Sequence, residues 1–267
     1  MHGLPAKTPT FQFYREEQCA QILDQQLDRY ERTGEGPYVI ITSVDERSFL
    51  ECFTESRHDL LQKSCVSYDE QHSIILLEME SKVHASACHS FTGIIETWGY
   101  QAESIIMPTG SASFRGTTRT KRGDCSWMPA EIPSGRSPKW PTLAVEVQWS
   151  EPTSHLMDDI RFWLDDSEGD VKIMLTISIS ARYTITIQRW SLRYPQNKSK
   201  PLPFPTATVQ ITRGLNKTSQ PRITGNITIP FEEVFLQPRR PTESDLILSR
   251  PVLERMASKI WTAQDQQ

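Results

Sequence analysis

The sequence predicts an α/β protein in which helices flank a central mixed sheet, in the order helix, strand, strand, strand, helix, strand, strand. Three observations predict it. Across residues 83–98 apolar side chains recur at Val83, Ala87, Phe91, Ile94 and Ile95, the spacing of one helix face. Across residues 141–150, PTLAVEVQWS, Leu143, Val145 and Val147 alternate with Ala144, Glu146 and Gln148, the period of a strand. A second helical stretch carries Leu156, Ile160, Trp163 and Leu164. An alternating strand follows it, with Val171, Ile173, Leu175, Ile177 and Ile179 on one side.

Taken in order, residues 11–33 are charged and Gln-rich, with apolar positions at Phe13, Ile22, Leu23, Leu27 and Tyr30. They read as an amphipathic helix ahead of the main body. PYVIITS and HSIILLEME read as strands, with a helix between them from residue 45 to about 61. After the helix at 83–98, AESIIMPTG is a strand, and SFRGTTRTKRGDCSWMP supplies the next strand and its turn. EIPSGRSPKWP is too rich in Pro and Gly for a regular element. The helix after residue 150 has Pro152 near its start and Gly169 just beyond its end. VKIMLTISI and YTITIQRW are strands. Beyond Ser191 the chain is Pro-rich, ATVQITRG and RITGNITIP form a hairpin with a long loop, and RPVLERMASKIWTAQ closes as a helix. The expected organisation is an N-terminal helical extension over 1–35 and one domain over 36–267, with its core at about 83–190.

Bulk properties narrow the function classes. Hydrophobic residues make up 37% of the chain and the formal charge is −4, so no global field draws it to nucleic acid, and such a contact needs a local basic patch. Cys19, Cys52, Cys65, Cys88 and Cys125 are scattered with no C-x-x-C pair, which reads as reduced thiols in an intracellular protein, in cytoplasm or nucleus. No segment approaches the roughly 20 apolar residues of a membrane helix, so no membrane is expected. The sequons at Asn197, Asn216 and Asn226 are then chance matches. G-x-S-x-G, P-loop and H-E-x-x-H motifs are all missing, and no residue pattern speaks to oligomeric state.

Glu146 is the residue that an apolar strand should not want. A carboxylate there must be paired, hydrogen-bonded, metal-bound or at a strand end that meets water, and on this strand alone the last reading is the simplest. Asp124, in RGDCSWMP, changes the weighing. Neighbouring strands lie about 4.8 Å apart, so an Asp near one strand end can approach a Glu near the next. Two such carboxylates repel unless a cation sits between them, and Mg²⁺ suits that place because it takes few carboxylates and keeps waters. Asp124, Glu146 and the carbonyl of Val147 make a partial ligand set.

The turn GDCSWMP, the strand PTLAVEVQWSE and the helix and strand of DDIRFWLDDSEGDVKIML, together with FEEVFLQP and ESDLIL near the end, resemble the PD-(D/E)XK nuclease superfamily, and within it the fungal nuclease-like domain proteins. The resemblance spans roughly residues 83–261. It implies a restriction-endonuclease-like core in αβββαββ order and a divalent cation, Mg²⁺ or Mn²⁺, held by Asp124 and Glu146 for phosphodiester hydrolysis. Gln148 occupies the position of the family's lysine. Glutamine can bond a water but brings no charge. The helix that often carries His-Glu reads His84-Ala85 here, so its carboxylate is missing unless Glu80 or Glu96 replaces it. His84 is either a ligand to metal or bridging water, or a capping and partly buried histidine.

Arg115, Arg119, Lys121 and Arg122 run into Asp124, either as a phosphate-gripping flank or as the charged face of an edge strand. Arg161 and Lys172 are candidates to supply the missing charge. Trp127, Trp140, Trp149 and Trp163 read as core and loop anchors. The leading expectation is a metal-dependent nuclease-like protein acting on DNA or RNA, or a degenerate one. The alternatives are a catalytically inactive binding module of that fold, with nucleic acid or protein as partner, and the fold repurposed for small-molecule chemistry.

Overall fold

The computed structural model describes residues 3–56, 58–110, 112–149, 153–196, 201–214 and 219–266. Its elements divide between two compact units, the first comprising Gly3–Glu80 and Ser111–Gly123, the second Ser81–Gly110 and Asp124–Gln267.

The first unit opens with β1 (Thr10–Gln12), α1 (Glu16–Thr33) and β2 (Tyr38–Thr42). Gly34 ends α1 in the left-handed conformation, φ 66°, where its N–H reaches the Tyr30 carbonyl at 2.7 Å. Next come α2 (Glu46–Phe49), a π-helical turn (Leu50–Thr54), α3 (Asp59–Ser64), β3 (Cys65–Asp69) and β4 (Ile74–Glu78). The single helix expected over 45–61 is therefore broken. The Thr54 hydroxyl bonds back to the Leu50 carbonyl at 2.7 Å and Gln62 Nε2 donates to the Thr54 carbonyl at 2.7 Å, so side chains compete with a continuous ladder.

After α4 (Lys82–Gln101) and β5 (Ile106–Pro108), a hairpin of β6 (Ser113–Arg115) and β7 (Arg119–Arg122) belongs to the first unit. It completes a six-stranded sheet in the order β1-β2-β4-β3-β7-β6. Cys19, Leu23 and Tyr30 of α1 pack in one core with Val39, Ile41 and Leu77, while Tyr38, Ile40, Ile74 and Leu76 form a cluster of their own. α1 thus contributes side chains to this unit's core.

The second unit continues with β8 (Cys125–Pro129), β9 (Leu143–Trp149), α5 (Thr153–Leu164), β10 (Ile173–Ile179) and β11 (Thr184–Arg193). It ends with β12 (Leu202–Thr212), β13 (Arg222–Gly225), β14 (Thr228–Ile229), α6 (Phe231–Phe235), β15 (Leu246–Ile247) and α7 (Arg250–Asp265). Seven strands pair in the order β13-β12-β11-β10-β9-β8-β5. β9 and β10 run parallel, joined through α5, and the other neighbours are antiparallel, so the sheet is mixed. Within this unit α4, β5, β8, β9, α5, β10 and β11 give the αβββαββ order read from the sequence, once the β6–β7 excursion is set aside.

Alternation decides which helix covers which face. Val145 and Val147 of β9 and Ile173, Leu175, Ile177 and Ile179 of β10 share a core with Val83, Ala87, Phe91, Ile95 and Trp98 of α4, and with Leu253, Met256 and Ile260 of α7. The opposite face of β9, with Ala144, Glu146 and Gln148, receives α5. Ser150 and Pro152, read as strand end and helix start, lie outside the described residues, as do the sequons at Asn197 and Asn216. Among the described residues no helix is long and apolar enough to cross a membrane.

Candidate functional site

Asp124 stands where the chain enters β8, one residue before Cys125. The sequence places it at the close of the preceding strand. That strand, β7, pairs instead with β3 of the first unit, leaving Asp124 at the start of the next. Its Oδ2 accepts the main-chain N–H of Val147 at 2.7 Å and lies 3.1 Å from Nε2 of His84, a contact that becomes an ion pair when the imidazole is protonated.

His84 sits in the first turn of α4. The Ser81 hydroxyl caps that turn by accepting the His84 main-chain N–H at 3.0 Å. The His84 side chain is buried, and its Nδ1 is 3.8 Å from Cys88 Sγ, one turn on. Asp124 is therefore tied to the α4 side and to the backbone of β9.

Glu146 is held from the other side. It is 4% exposed, so the strand-end reading in which it meets water does not apply. Trp163 Nε1 of α5 donates to its Oε1 at 2.5 Å. The indole is fixed by edge-on packing against Phe162, 5.3 Å between centroids, and against Trp140, 6.1 Å. Thr176 lies beside Glu146 in the parallel register, and its hydroxyl accepts the Trp190 indole N–H at 2.8 Å. Two indoles and two acceptors thus form a polar row under α5, which gives the buried carboxylate a charge-assisted bond. His155 and Asp159, both buried on the same helix, approach to 3.6 Å.

Gln148, two residues on, accepts the Ser178 hydroxyl of β10 at 2.9 Å. The two cations proposed to supply the missing charge are engaged elsewhere. Arg161 pairs with Asp158 at 2.7 Å, and Lys172 Nζ donates to the Gly169 carbonyl at 2.5 Å. Glu96 is exposed on α4, and Glu80 closes the first unit.

Among the described residues neither Asp124 nor Glu146 belongs to a group of three ligand donors within 4.8 Å of one another. The acceptor Oε1 of Glu146 faces an N–H donor, and Oδ2 of Asp124 faces another. One accepted N–H occupies one of about four lone-pair sites on each carboxylate, and a divalent cation there would share the two acids with these donors.

The basic run lies in the first unit. Arg119 and Lys121 are each 5% exposed, their side chains drawn inward along β7, where burial requires partners. Arg115 pairs with Glu70 at 2.7 Å and with Glu46 at 3.6 Å, and Arg122 donates to the carbonyls of Gln62 and Lys63. Trp127, Trp140 and Trp163 are buried and Trp149 packs against the main core, as the anchor reading expects. The Glu146–Trp163 bond itself was beyond the sequence reading, although Glu146 and an indole one helix later were both in view.

No family model and no curated protein matches the chain. Among solved structures, a candidate nuclease belonging to DUF820 from Anabaena variabilis ATCC 29413 superposes with a TM-score of 0.42, covering 74% of this chain and 92% of that one at 12% identity. At that score the likeness is too loose to carry a correspondence between residues.

Proposed function

We propose that the second unit is a nuclease-like α/β module in which the two motif acids serve the fold, and that the protein binds its ligand or partner without hydrolysing phosphodiesters. The reading rests on the sequence pattern around Asp124 and Glu146 and on the αβββαββ order. One observation carries its non-catalytic part: Glu146 is buried and one oxygen of its carboxylate accepts the Trp163 indole N–H. Gln148 in the lysine position points the same way, since a neutral amide bonded to Ser178 offers no charge to a phosphodiester.

The Mg²⁺- or Mn²⁺-dependent nuclease is the second reading, and one observation favours it. Cys125 pairs with Val145, so one step further along the ladder sets Asp124 opposite Glu146. Asp124, Glu146 and the Val147 carbonyl would then take the ion, with Gln148 beside them.

Incubating wild type and Glu146→Gln with single- and double-stranded DNA and with RNA in Mn²⁺ separates the two. No cleavage by either, with no Mn²⁺-dependent rise in Tm, is the expected result. Cleavage by wild type that Glu146→Gln abolishes would establish the nuclease instead. Salt-sensitive binding without cleavage would identify the ligand as nucleic acid.

A further inference from the structure

A cavity of about 530 Å³ opens between α4, α7 and the segment leading through β15, within the second unit and sharing no residue with the Asp124–Glu146 cluster. That volume is in the range of small-molecule sites, roughly 300–1,000 Å³. Its apolar lining includes Ile94, Trp98, Leu246 and Met256. Trp98 is anchored by its indole N–H, which donates to the Ser244 carbonyl at 2.9 Å.

Two observations say what would enter. The first is charge. Arg255 and Lys259 stand one turn apart on the exposed flank of α7, both on the cavity lining, and neither has an ion-pair partner among the described residues. The acid on that lining, Asp245, is already taken, by Arg239 at 3.4 Å and by the Phe231 main-chain N–H at 2.8 Å. The net demand of the rim is therefore for an anion.

The second is Gly93. A glycine inside a helix costs roughly 0.5–1 kcal/mol relative to alanine. At Gly99, on the same helix, a Cβ would meet Ile106 Cγ2 at 2.6 Å. At Gly93 a Cβ would meet nothing within 4 Å, and its φ is not one that requires glycine. No contact accounts for the missing side chain, and Gly93 lines the cavity.

We propose that this cavity binds a small amphipathic carboxylate, its apolar body against Ile94 and Trp98 and its anionic head at Arg255 and Lys259, with Gly93 leaving the room. The site acts whether or not the Asp124–Glu146 cluster has any activity.

Calorimetric titration with decanoate below its micelle concentration, and with decanol as the neutral counterpart, tests it on the full chain. Wild type is expected to bind decanoate saturably and decanol at least about tenfold more weakly, the scale of one charge-assisted contact. Arg255→Glu/Lys259→Glu, on exposed positions, is expected to remove that preference. Gly93→Leu fills the cavity, and is expected to abolish binding with no loss of Tm. Failure of wild type to bind, equal binding of decanol, or decanoate binding unchanged by the double charge reversal would each overturn the proposal. So would binding that survives Gly93→Leu. Should Gly93→Leu lower Tm, the charge-reversal pair alone decides.

Discussion

A buried carboxylate is stable only while its hydrogen-bond partners are present, so the Glu146–Trp163 pair makes a prediction at the scale of single residues. Trp163→Phe keeps most of the ring volume but removes the donor, and should cost about 1–3 kcal/mol in urea unfolding. A change near zero would mean that the indole contributes packing alone. Cys19 gives a second test. It is fully buried, and burial, with Cys52 and Glu16 adding to it, pushes its thiol up to about 12 from the ordinary 9.0. The folded state then keeps a proton that the unfolded chain releases. The corresponding stability is complete below about pH 9 and is lost as pH rises toward 12. Unfolding free energy measured across that range should fall less steeply in Cys19→Ala, and identical slopes would refute the assignment.

At the scale of elements, the sequence was most legible where one face of a long segment meets the core. α4, α5, α7, β9 and β10 could each be placed from apolar spacing, because Phe91, Ile160, Met256, Val145 and Leu175 are buried at the expected positions. Legibility failed where polar residues do the work. β7 reads as a charge run, yet Arg119 and Lys121 point inward, so period-2 alternation was present but carried by cations. Asp124, expected at the close of that strand, stands just before the next one. Glu146 and Asp124 were identifiable as residues needing partners, whereas the identity of those partners depends on which helix covers which face, and no local pattern encodes that. The cap of α4 carries an element-scale prediction. Ser81→Ala removes the acceptor of the His84 N–H and should destabilise the second unit by about 1 kcal/mol, read from tryptophan fluorescence during urea unfolding. An unchanged midpoint would show that the first turn does not depend on the cap.

For the whole molecule, two units with separate cores imply two partly separate stabilities. All seven tryptophans belong to the second unit, so their fluorescence reports it alone, whereas far-UV circular dichroism reports both. Leu77→Ala in the first core should shift the dichroism transition and leave the fluorescence midpoint in place, and a common shift would show a single cooperative unit. The proposal that Glu146 serves the fold rests on its bond to the Trp163 indole. The most direct measurement follows the indole N–H resonance of Trp163 by ¹⁵N–¹H spectroscopy during Mg²⁺ titration. The account expects a resonance that exchanges slowly with solvent, moves in Glu146→Gln, and stays fixed as Mg²⁺ is added to wild type. A saturable shift or loss of that resonance on adding Mg²⁺, missing in Glu146→Gln, would contradict it.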